Sequence, residues 1–159
     1  MMPTAKYPFE LLGRLRKHEA DEAARDLATA TGTRDAAESE RRLAADRRDA
    51  HERAGSHLRA QEIRALARGC LRVADLAQAQ SWEVAFAAER RKLISSARES
   101  QAAAAAALDA VRRFQSRASL CLSNAELVAR DRTRWNEARR KVHEAIDEEA
   151  SFEAWRLKP

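Results

Sequence analysis

Counted in sevens from Ala79, the chain meets Phe86, Leu93, Ser100, Ala107, Phe114, Cys121, Val128, Trp135 and Val142, and nine of these ten positions are apolar. A seven-residue repeat held this long predicts a helix whose apolar seam lies against another helix. The positions three residues on include Trp82, Ala103, Ala110, Ala138, Ala145 and Phe152, but also Arg117, Asn124 and Asp131, so the seam has a polar stretch. A further row, Ala97, Ala104, Val111, Ala118, Ala125 and Ile146, widens the stripe. The first half of the chain is poorer. It offers Ala30, Ala37, Ala44, His51, Leu58 and Ala65 at the same spacing, flanked by Ala36, Leu43 and Ala50, with Arg41 and Arg48 in the companion slots. An alanine seam lets two helices approach closely but removes little area from water.

The breakers lie where two helices need them. Pro3 and Pro8 open the chain, Pro159 closes it, and Pro8 suits the first turn of a helix, where a missing N–H leaves no bond unmade. Gly13, Gly32 and Gly55 weaken the first helix without stopping it, and the run Thr29–Thr33 around Gly32 is the softest point, where a kink is expected. Gly69, in Arg68–Val73, can take the positive φ that ends a helix, and Asp75 brings negative charge to the start of the next. The expected fold is all-α: two long helices forming an antiparallel coiled-coil hairpin in a single domain over residues 1–159. Helix one spans residues 8–67, the tip 68–74 and helix two 75–157. A dimer of extended helices is the structural alternative.

Composition supports helices over a globule. Of 159 residues, 35% are charged and 5% aromatic, and alanine dominates the apolar share. The net charge of +5 arises from 30 cationic residues interleaved with 25 acidic ones, the pattern of a solvated helix surface laced with ion pairs. Excess positive charge also suits an acidic partner. Cys70 and Cys121 have no metal-ligand spacing and fit a reducing cytosol. The opening residues lack the apolar run of a signal peptide, and no apolar stretch is long enough for a membrane span, so a soluble, cytoplasmic protein is expected.

A search for chemistry finds none, and neither an enzyme nor a cofactor is expected. His18, His51, His57 and His143 do not complete the two-histidine pattern of a helical zinc site, and the scattered glycines build no phosphate loop. Asp147, Glu148 and Glu149 are consecutive, so they fan around a helix instead of converging. Candidate contact features remain: the basic cluster Arg130, Arg132, Arg134, Arg139, Arg140 and Lys141, the aromatic pair Trp82 and Phe86, and Trp155 near the C-terminus. For the aromatic pair, core filling and an exposed contact patch are both open.

The opening Tyr7–Arg16, the segment Glu19–Leu27, the run Ala74-Asp75-Leu76 leading to Trp82 and Phe86, and the acidic-then-basic close from Asp147 to Arg156 together resemble the stalk proteins of type III secretion, the flagellar FliJ and injectisome YscO family. The resemblance implies an antiparallel hairpin similar to the central stalk of rotary ATPases. Its paired termini would enter the pore of a hexameric secretion ATPase and its tip would face a membrane export gate protein. On that resemblance the ATPase-binding residues are Leu11, Leu12, Arg14, Arg16, Lys17, Arg139, Arg140, Lys141 and Trp155, and the gate-facing residues are Trp82 and Phe86. Secretion chaperones are further implied partners, with no residues assigned. Two rivals differ in class. A coiled coil gripping nucleic acid through phosphate charge would bind with steep salt dependence, although acids interrupt nearly every basic run. A purely structural spacer would use Trp82 and Phe86 for stability alone.

Overall fold

A computed structural model describes residues 6–70 and 72–156. It is an all-α helical hairpin built from α1 (Glu10–Ala67) and α2 (Val73–Arg156). Leu71, in the expected tip, and residue 157, at the expected end of the second helix, lie outside the described residues.

Local chemistry explains each helix end. The Glu10 N–H donates to the Tyr7 carbonyl and the Gly13 N–H to that of Phe9. Pro8 thus occupies the second position of a turn, where its fixed φ is favoured, and α1 begins two residues later than the proline suggests. At the far end Gly69 has a φ of 65°. Its N–H donates to the Leu66 carbonyl, and the Cys70 N–H reaches back to that of Ala65. These two bonds make a complete Schellman stop, which leaves Gly69 in the left-handed region that glycine tolerates best. α2 starts with half a capping box, because the Asp75 carboxylate accepts from the Arg72 N–H at 2.8 Å.

The expected kink at Gly32 does not occur: α1 is continuous, and Thr33 hydrogen-bonds through its hydroxyl to the Thr29 carbonyl one turn back. A lone glycine lowers helix propensity but breaks no hydrogen bond.

Both helices contribute to two compact units, residues 29–112 and residues 1–28 with 113–159. In the first unit the helices run antiparallel, with Glu52 paired to Arg90 and Gly55 against Phe86. Ala30 and Ala44 are buried, while Ala37, His51 and Ala65 are half-buried. The flanking row Ala36, Leu43 and Ala50 is exposed, so that part of the expected stripe faces water. Arg34 and Arg41 sit partly in the seam in its place, and Arg41 holds Glu38 at 2.7 Å. On α2 the half-buried companion row is Ala97, Ala104 and Val111, four residues after the main row, whereas Ala103 is exposed. Alanine on both sides brings the backbones close, and the second contact row follows the i+4 ridge.

The second unit is also antiparallel. Gly13 lies beside Val128, Asp26 pairs with Arg117 at 3.1 Å and Glu10 with Arg132 at 3.2 Å. Ala23 is fully buried there and Tyr7 nearly so.

Candidate functional site

Three places carry the residues singled out from sequence. Near the turn, Trp82 and Phe86 stack with ring centroids 5.0 Å apart. Phe86 is 8% exposed. Its other face meets the His51 imidazole, stacked at 3.9 Å, and the Arg59 guanidinium lies 5.5 Å from the ring centre. The space for the ring exists because Gly55 has no side chain, since a Cβ there would stand 2.2 Å from Phe86 Cζ. Of the two readings open for it, Phe86 takes core filling: α1 runs on to Ala67 and covers it. Trp82 is half-buried and keeps one edge on a shallow groove with Leu58, Leu66 and Leu76, all of them partly open to solvent. His51 is on the expected seam, whereas Gly55 is expected only to weaken the helix and instead makes room for the ring. A glycine facing an aromatic across the seam was the available signal, but it needed the pairing register of the two helices.

The second place is the start of α1. The Tyr7 hydroxyl donates to Asp131 Oδ2 at 2.5 Å, and its ring packs edge-on against Trp135 at 5.7 Å and Phe9 at 5.9 Å. Bonding to the Asp131 carboxylate, with burial second, pushes the phenol up to about 12. This clasp fixes the first turn of α1 on α2. Leu11 is 79% exposed, and Leu12 is also open. Arg14 pairs with Glu10 at 3.5 Å and Arg16 with Glu19 at 2.8 Å. Arg14 and Lys17 border one groove with Arg132 of α2. The structure thus brings Arg14 and Lys17 together with α2, while Leu11 points to water.

The third place is the end of α2. Beyond Trp135 no described residue of α1 accompanies it, and apart from a half-buried Arg139 the described side chains from residue 136 to 156 are exposed. Arg139 stacks on Trp135 at 5.1 Å, Arg140 pairs with Glu144 at 3.4 Å, and Lys141 is open. Val142, Ile146, Phe152 and Trp155 are all exposed, Trp155 at 74%. Arg139, Arg140, Lys141 and Trp155 thus follow the last described contact between α2 and the start of α1, at Tyr7 and Trp135.

Among the described residues no group of three His, Cys, Asp or Glu side chains is placed to hold a metal. No described helix is long and apolar enough to cross a membrane. Both cysteines are free thiols, Cys70 exposed and Cys121 half-buried. Comparison with family models, with characterised proteins and with solved structures gave no match.

Proposed function

We propose that the chain is the non-enzymatic central stalk of a type III secretion ATPase, working in the cytoplasm at the secretion apparatus. The sequence resemblance at both ends of the chain suggests the reading, and one structural observation favours it: α2 outlasts α1 and stands clear with Arg139, Arg140 and Lys141 near its base and Trp155 at its end. A single helix is narrow enough to enter the pore of a ring, and its basic base suits acidic pore loops. In this reading α2 alone leads the insertion. The clasp at Tyr7, with Arg14 and Lys17 beside it, forms the collar behind. At the other end the gate contact falls to Trp82 with its neighbours Leu66 and Leu76, because Phe86 is enclosed. ATP hydrolysis by the ring would bias the stalk, and the stalk would pass that bias to the export gate.

The test is ATP turnover by the hexameric secretion ATPase with and without this chain. Stimulation by the full chain, lost when the chain ends at Trp135, supports the stalk. Equal turnover in both conditions refutes it. Nucleic acid is a poorer partner for this surface, since Arg14, Arg16, Arg41, Arg42, Arg90, Arg117 and Arg132 each hold a carboxylate already.

A further inference from the structure

The end of α2 keeps its heptad seam after α1 has stopped. Trp135, Ala138, Val142, Ala145, Glu149, Phe152 and Arg156 continue the repeat, and from Ala138 onward these side chains are exposed. The stretch from Ala138 to Arg156 spans about 28 Å, or just under three heptads of uncovered seam. The charges on this stretch are partly sorted into blocks. Arg139, Arg140 and Lys141, flanked by Glu137 and Glu144, precede Asp147, Glu148 and Glu149, with Glu153 and Arg156 following.

We infer that this face takes a second copy of the same stretch, running antiparallel. In an antiparallel pair, seam layers join the first apolar position of one heptad to the second of the other, and the rim positions beside them face each other across the two-fold axis. Setting Val142 against Ala145 of the second copy places Trp135 level with Phe152 of that copy. The same register sets Lys141 beside Glu148 of the second copy, and symmetry makes this pair twice. The basic block of each chain then lies along the acidic block of the other. A parallel pair would instead stack basic on basic and acidic on acidic, with Lys141 beside Ile146, and like charges at close range disfavour it.

The seam explains why such a pair is weak. Three heptads are near the lower limit for a self-sustaining repeat. Glu149 and Arg156 are charged residues on the seam, and Glu149 lies opposite Ala138 of the second copy. The pair is therefore expected to dissociate readily on dilution. Phe152 of the second copy reaches the aromatic group at the start of α1, where Phe9 is exposed beside Tyr7 and Trp135. The pairing does not rest on the stalk reading, although it would cover the same stretch of α2 while no ring is present.

Sedimentation velocity of the full chain over a range of roughly 1 to 200 micromolar tests this. A monomer that becomes a dimer is expected. Lys141→Glu and Glu148→Lys should each weaken the dimer by about tenfold or more, since each turns two opposite-charge contacts into like-charge ones. The double variant should return to within about threefold of the parent. Circular dichroism should show equal helicity in all four proteins, because Lys and Glu have similar helix propensity. A chain ending at Trp135 should stay monomeric. A monomer at every concentration overturns the inference, as does a dimer that survives the truncation. Single reversals that the double variant fails to rescue overturn the antiparallel register.

Discussion

Two aromatic pairs on α2 have nearly the same local chemistry and opposite fates. Trp82 and Phe86 lie one helical turn apart and stack. Phe152 and Trp155 also lie one turn apart, with ring centroids at 6.3 Å. In the first pair Phe86 is enclosed by His51, Gly55 and Arg59. In the second, Phe152 is 67% exposed and Trp155 more so. Helix propensity does not separate the two, and Trp82 and Phe152 hold the same heptad position, although Trp155 falls one residue off the seam where Phe86 is on it. The difference is whether another helix lies opposite, so an apolar seam specifies a surface that wants covering and leaves open what covers it.

The comparison can be broken most forcefully at its buried member. Phe86→Ala should cost about 3 kcal/mol of unfolding free energy, the lower end of the range for a large aromatic in a packed core, because this seam is thin. Chemical denaturation monitored by helicity would read it. A loss under about 0.5 kcal/mol would show the ring to be a surface group after all.

Next comes the partner that makes room. In an open helix, Gly55→Ala would gain about 1 kcal/mol. Here the added Cβ would collide with the Phe86 ring, so a net loss of about 1–2 kcal/mol is expected. Pairing it with Phe86→Ala should restore the ordinary alanine gain, and a double-mutant cycle would expose that coupling.

Two pH effects sharpen the contrast between covered and uncovered stretches. Hydrogen bonds from Arg41, and secondarily from Arg42, hold the Glu38 carboxyl at about 2, below its usual 4.5. A depressed folded-state pKa gives stability that is present above about 4.5 and lost as pH falls toward 2. The difference in melting temperature between the parent and Glu38→Gln should therefore be largest near neutrality and close by pH 2. Tyr7 behaves in the opposite sense. Its raised pKa gives stability that is full below pH 10 and lost as pH rises through about 12. Melts of the parent and Tyr7→Phe should converge over that interval.

The smallest stability effect belongs to the exposed pair. Phe152→Ala with Trp155→Ala should change unfolding free energy by less than about 0.5 kcal/mol, since both side chains already face water. A loss comparable to that of Phe86→Ala would mean that the pair packs against something in the isolated chain.

Much of this was legible in the residues. The seven-residue repeat on α2 from Ala79 to Trp135 is half-buried or better at every position, Gly69 ends α1, and Asp75 caps α2. These features are local, and local sequence specifies them through propensity, positive φ and capping chemistry. The alanines at 30, 37 and 44 were equally readable as seam. The exposed row at Ala36, Leu43 and Ala50 was misassigned because α1 carries alanine on several faces, so its repeat does not single out one of them.

What only the tertiary structure decided was register. Which residue of α1 faces which residue of α2 determines that Gly55 receives Phe86, that Tyr7 reaches Asp131, and that α2 runs past its partner after Trp135. An alanine seam fits at several offsets with little change in buried area, so composition alone leaves the offset open. A few bulky or paired side chains set it, by fitting a gap or finding a charge at one offset and missing it at the others.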